Sequence, residues 1–176
     1  MVLVQNAVDD TRKNASMVIT PNNNGQSHLG SVVDRESTNR YEIPVRTVLL
    51  SDIVDAIGYS SARYNDSTPM LIKIDIEGYE CNAFLGSSQV LTNQRPFTIV
   101  AVIMEVHGLG VYAPSPGGYE VKFLQLKSLF MNAGYIPFYL HGQILMKVDV
   151  AKRRWPKNVV WFKDKNIISY LSDEHL

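Results

Sequence analysis

The chain has 176 residues, of which 45% are apolar and 19% charged, and its seventeen basic and seventeen acidic side chains cancel. That length and composition suit one domain with a buried core and exclude a disordered chain. No overall field draws it to nucleic acid or to an anionic membrane, so neither is an expected partner.

From the N-terminus, Val2 to Val4 reads as a strand end running into the polar stretch Gln5 to Asp10. Four apolar residues, Met1 to Val4, are too few for a signal-peptide core. Ser16 to Thr20 reads as a second strand, closed by Pro21, and Asn22 to Ser27 carries turn chemistry. Tyr41 to Val48 alternates as a strand, after which Ser51 is expected to cap a short helix ending at Gly58. Ser60 to Pro69 reads as a polar loop.

From Met70 onward, strands and helices alternate. Met70 to Ile76 reads as an apolar strand, Gly78 to Leu91 as a helix broken at Gly86, and Phe97 to Val106 as a strand with almost no polar face. Glu120 to Asn132 has helical periodicity and stops at Gly134; Tyr135 to Leu140 and Val159 to Lys163 read as strands, and Asn166 opens a terminal helix. Strands apolar on both faces, separated by helices, indicate an α/β fold with a parallel sheet covered on both sides. The longest apolar run is half the length needed to cross a bilayer, so the protein is expected to be soluble and cytoplasmic. One cysteine, Cys81, excludes an internal disulfide framework and a multi-cysteine zinc site, and it reads as a small residue of an amphipathic helix. Lys152, Arg153, Arg154 and Lys157, beside a Trp-Pro pair, read as a solvated loop.

The chemistry concentrates in Leu71-Ile72-Lys73-Ile74-Asp75-Ile76-Glu77-Gly78-Tyr79-Glu80, where an apolar strand delivers three carboxylates and a glycine at the turn into a helix. In open α/β sheets ligands bind beyond the carboxyl ends of the strands. The next strand ends in Glu105-Val106-His107-Gly108, so Asp75, Glu77, Glu105 and His107 can converge on one crevice. Acids beside an imidazole suit proton abstraction, and equally a divalent cation, although no metal ligands are assigned. Acids at a helix start also satisfy exposed amides without any catalysis, which is the plainer reading of Glu80. Glu105, ending an apolar strand, needs a partner, and His107 can supply it.

The octapeptide Lys73 to Glu80 resembles the K-[IV]-D-[IV]-E-G-x-E signature of the FkbM methyltransferases, with Phe84-Leu85-Gly86 at the family's following apolar-glycine step. Asn6 to Asp10, Gly25 to Ser27, Val45 to Ile53, Arg95-Pro96 with Ile103 to His107, and Leu126 to Tyr135 resemble further family segments in the same order. The resemblance implies a class I, Rossmann-like methyltransferase sheet flanked by helices, spanning residues 1–176 as one partial domain. Residues 1–50 would hold the third-strand end and a β-hairpin insertion, and residues 51–176 the α/β core. The family's opening D-[VI]-G-A-N-x-G is absent from the sequence, so the first cofactor-binding strands are expected to be missing.

By the same resemblance the complete domain uses S-adenosylmethionine to methylate a hydroxyl of a small-molecule or sugar acceptor. Asp75 and Glu77 would lie beside the methyl group, Glu105 and His107 would line the acceptor pocket, and Asn6 and Ala7 would lie near the adenine, with Asp75 also a cofactor contact. Without its neighbour, the strand bearing Leu71, Ile72 and Ile74 is expected to present an open edge through which copies self-associate. A non-catalytic fragment or binding module is the alternative. Gly108 to Ala113 also fits a dinucleotide glycine pattern, but Pro114 and Pro116 follow where a helix must open, which argues against an oxidoreductase.

Overall fold

The computed structural model describes residues 6–19, 28–29, 41–60, 68–92, 97–106, 119–152 and 154–163. The elements, in chain order, are β1 (Ala7–Val8), β2 (Asn14–Ile19), β3 (His28–Leu29), β4 (Tyr41–Val48), α1 (Leu50–Ser60), β5 (Thr68–Ile74), α2 (Glu80–Leu85), α3 (Gln89–Thr92), β6 (Phe97–Glu105), α4 (Tyr119–Asn132), β7 (Ile136–His141), β8 (Ile144–Lys147) and β9 (Asn158–Phe162). The strand expected at Val2 to Val4, the turn at Asn22 to Ser27, His107, the glycine pattern from Gly108 and the helix expected from Asn166 lie outside these residues.

The described strands form two sheets, in the orders β1-β4-β2-β3 and β5-β6-β9-β7-β8. In the larger sheet β5 and β6 are parallel, but β9 enters antiparallel between β6 and β7, and β8 folds back antiparallel on β7. The sheet is therefore mixed, not parallel as the apolar strands implied. Burial on both faces makes a strand apolar whichever way its neighbour runs, so hydropathy does not report direction. The strand β8 was not anticipated. It follows a two-residue turn, Gly142-Gln143, in which Gly142 takes φ 62°, the backbone a tight hairpin requires. This α/β arrangement is compatible with a methyltransferase-like fold.

Pairing also shifts some boundaries. The strand β5 starts at Thr68 rather than Met70 and includes Pro69, which a strand tolerates at an edge, and among the described residues β5 pairs on one side alone. Between Met70 and Leu71 the register with β6 slips, so that Met70 pairs Ile99 while Leu71 pairs Ala101. The slip skips Val100 and lets Val102 and Met104 join Phe97 and Ile99 on the core side. The helix α1 begins at Leu50 and continues through Gly58 to Ser60. Its cap is Asp52, not Ser51: the Asp52 carboxylate accepts the Leu49 N–H at 3.0 Å and is held in turn by the Arg12 guanidinium, which keeps its pKa low. Ser51 is buried instead, and its N–H donates to Ser87 Oγ at 3.0 Å.

Helices α1 to α4 join the inward residues of β5, β6 and β9 in one core. Phe123, Leu126 and Phe130 lie at i, i+3 and i+7 of α4, so they share its buried stripe. Phe130 contacts Phe84, Trp161 and Tyr135, with centroids 5.0, 4.7 and 5.2 Å away, and Tyr135 donates its hydroxyl to the Ile99 carbonyl at 2.8 Å. Burial pushes the Tyr135 phenol well above its ordinary pKa. Cys81 is a buried free thiol of α2.

The smaller sheet docks against α2 through polar contacts. Asp9 is buried, and its carboxylate accepts the Asp10 amide and Asn82 Nδ2, each at 2.8 Å, beside Lys13 Nζ at 2.7 Å. Tyr79 donates its hydroxyl to the Leu29 carbonyl at 2.7 Å. Gly86, where the helical run breaks as its sequence suggests, lies so close to Asp10 that an added Cβ would stand 2.4 Å from the Asp10 Cα. Among the described residues, no helix is long and apolar enough to cross a membrane.

Candidate functional site at the carboxyl ends of β5 and β6

Parallel pairing aligns the ends of β5 and β6. Ile74 pairs Met104, so Asp75 and Glu105 leave the sheet side by side. After Asp75 the chain makes a turn that a helix does not allow: Glu77 takes φ 53° and Gly78 φ 95°. This is why α2 begins at Glu80 and not at Gly78. Glu77 is the one non-glycine residue with positive φ among those described. Such a conformation costs about 1–2 kcal/mol for a residue with a Cβ, and strain of this kind clusters at functional sites.

Each acid has a different setting. Asp75 is exposed and lies 3.4 Å from Lys73 Nζ, a surface pair of little energetic weight. Glu77 is half-buried and takes no hydrogen bond or ion pair from any described residue. Glu105 has a side chain only 12% exposed, with Lys157 Nζ 2.7 Å from its carboxylate. Lys157 therefore has a raised pKa, caused first by Glu105 and then by the more distant charges of Glu77 and Asp75. All three acids thus act on one ammonium group, although Asn6 and Ala7 do not join them. Those two belong to the other sheet, where Asn6 donates to the Arg46 carbonyl at 3.2 Å and Ala7 is buried against β4. His107 lies outside the described residues.

At this site Lys157 has a role that the sequence alone did not assign, whereas Glu80 meets backbone amides as its plainer reading expects. Lys157 reads as part of a solvated basic loop, and it is exposed, as are Lys152 and Arg154. The register of β9 on β6 separates Lys157 from them: Asn158 pairs Glu105, and the Val106 N–H donates to the Lys157 carbonyl at 2.6 Å. No local pattern signals this, because it depends on which strand neighbours β6. Glu80, plausible as an ordinary helix-start acid, is fully buried. Its two oxygens accept the Ile76 and Gly78 amides at 2.9 and 3.1 Å. The E-G-x-E spacing was the available signal.

Among the described residues, three carboxylates against two ammonium groups leave these strand ends locally acidic, suited to a cationic ligand group such as a sulfonium. Among the described residues, no three His, Cys, Asp or Glu side chains gather as metal ligands. A family model described as the methyltransferase FkbM domain matches residues 2–144. Neither a curated protein nor a solved structure matches the chain.

Proposed function

The chain belongs to the methyltransferase FkbM family, and from that membership and the strand-end geometry we propose that it carries the acceptor side of an S-adenosylmethionine-dependent O-methyltransferase site. The acceptor in this reading is a hydroxylated small molecule or sugar. The observation that carries the proposal is Glu77, a half-buried carboxylate in a left-handed turn beside the Glu105–Lys157 pair, with no hydrogen bond or ion pair from the described residues. A carboxylate so placed is available to a ligand rather than committed to the fold.

When bound, the cofactor supplies a methyl group activated by a sulfonium. The chain's own residues would orient the acceptor hydroxyl for in-line approach and take up its proton, with Glu77 the base and Asp75 next to it. Glu105, held by Lys157, would line the acceptor pocket together with His107, and Asn6 and Ala7 would lie on the adenine side. A cytoplasmic setting goes with this reading.

The test is a calorimetric titration of the folded chain with S-adenosylmethionine, whose sulfonium carries the charge these acids would meet. Saturable binding at micromolar strength, weakened about tenfold or more by Glu77→Gln, supports the proposal. The absence of heat would count against a cofactor site in this chain and favour a second reading, a binding module that pairs through β5. That reading draws on the position of β5 at the end of its sheet, where Leu71 is 59% exposed.

A further inference from the structure

We propose that Glu80 is a positioning residue: its buried carboxylate, not Gly78 alone, holds Glu77 in the left-handed conformation from which it serves the site. The argument starts from the amides of the turn. Glu80 Oε1 accepts the Ile76 N–H at 2.9 Å and Oε2 accepts the Gly78 N–H at 3.1 Å. The Gly78 N–H belongs to the peptide plane that follows the Glu77 Cα, and the Ile76 N–H anchors the chain one plane before the one that precedes it, whose Ile76 carbonyl accepts the Tyr79 N–H at 3.4 Å, so the turn is held on both sides of Glu77. Tyr79, at the N-cap of α2, makes no side-chain cap bond, so its side chain does not supply this restraint.

The costs point the same way. A fully buried carboxylate is expensive unless it is hydrogen-bonded, and the two amides offset that expense. Glycine at position 77 would relax the left-handed strain, yet the position holds a glutamate. Two costly features, a buried acid and a strained acid, therefore meet in one turn, and the first restrains the second. The methyl-transfer reading enters only in the binding arm of the test; the brace itself rests on geometry.

The experiment compares the wild-type chain with Glu80→Gln, Glu80→Ala, Glu77→Gln and the double variant Glu77→Gln/Glu80→Gln. Amide exchange is followed by NMR at Ile76 and Gly78, with Val102 and Met104 of β6 as references. Glutamine offers one acceptor oxygen in place of two, so Glu80→Gln should speed exchange about tenfold or more at one of the two amides, and Glu80→Ala at both, with the β6 amides unchanged. The Glu77 HN–Hα coupling should move with them, which a change in global stability alone would not produce. Unchanged exchange at both amides and an unchanged coupling in Glu80→Gln overturn the brace, even where Glu80→Ala fails to fold. If the wild type binds S-adenosylmethionine, the double variant should bind no more weakly than the weaker single one; additive losses would mean that Glu80 does not act through Glu77. If the wild type does not bind, the methyl-transfer reading fails, and exchange and coupling still decide the brace.

Discussion

Gly78 and Gly86 illustrate two reasons for a glycine. An added Cβ at Gly78 meets nothing within 4 Å, but the residue takes φ 95°, so Gly78→Ala is penalised by backbone strain alone. We expect a loss of about 1–2 kcal/mol in a urea unfolding curve, together with disturbance of Glu77. Gly86 takes an ordinary helical φ of −71°, yet its added Cβ would meet the Asp10 Cα, carbonyl carbon and oxygen at 2.4–2.9 Å. Gly86→Ala should therefore cost about 1–3 kcal/mol or more, and trimming the Asp10 side chain should not rescue it, because the colliding atoms are backbone.

Asp9 supplies a pH signature at the same scale. Burial alone would raise its pKa, but the bonds from Lys13, Asn82 and the Asp10 amide outweigh burial and hold it below the ordinary value. A carboxyl whose folded pKa is depressed contributes stability above its unfolded pKa, near 3.9, and loses that contribution as pH falls through the folded value. Asp9→Asn should therefore be less stable than wild type at pH 7, by about 1–3 kcal/mol. The gap should narrow below about pH 4 in denaturation curves taken across that range. A gap constant from pH 7 to pH 2 would remove Asp9 from the acid limb.

At the scale of elements, α4 separates packing from surface pattern. Its inner stripe carries Phe123, Leu126 and Phe130, whereas Val121, Leu124 and Met131 are exposed. Phe130 joins α2, β9 and the start of β7 through its ring contacts, so Phe130→Ala should lose about 3–5 kcal/mol. Leu124→Ser should stay within about 0.5 kcal/mol of wild type in the same measurement. The strand β9 has a different element-level effect. By entering antiparallel beside β6 it brings a lysine from a distant loop to Glu105, so its register decides the electrostatics of the strand ends.

For the molecule as a whole, the edge at β5 matters most. Among the described residues β5 pairs only with β6, and Leu71 is exposed on it, but Ile72 is half-buried and Ile74 buried in the core. The pleat turns the even-numbered residues of β5 to the core, so Leu71 is the one of the three that the edge exposes. Unpaired edge groups invite another strand, and a lysine on an edge discourages it. We expect concentration-dependent self-association of the chain in sedimentation velocity, reduced by Leu71→Lys. A monomer at all concentrations would sink pairing through this edge.

The sequence by itself determined the family, the α/β class, most strand and helix positions from Tyr41 onward and the position of Asp75, Glu77 and Glu105 at the ends of two neighbouring strands. These rest on periodicity, turn chemistry and an ordered run of motifs, all carried by neighbouring residues. It misread the direction of β9, and it left open the existence of β8, the pairing of Glu105 with Lys157 and the brace from Glu80 to the turn at Glu77. Sheet order and register decided these, because they join residues distant in the chain and hydropathy is the same whichever neighbour a buried strand takes. The role of Glu80 shows the limit most clearly. Its spacing was visible, but burial and the two amides it holds exist only once the chain has turned.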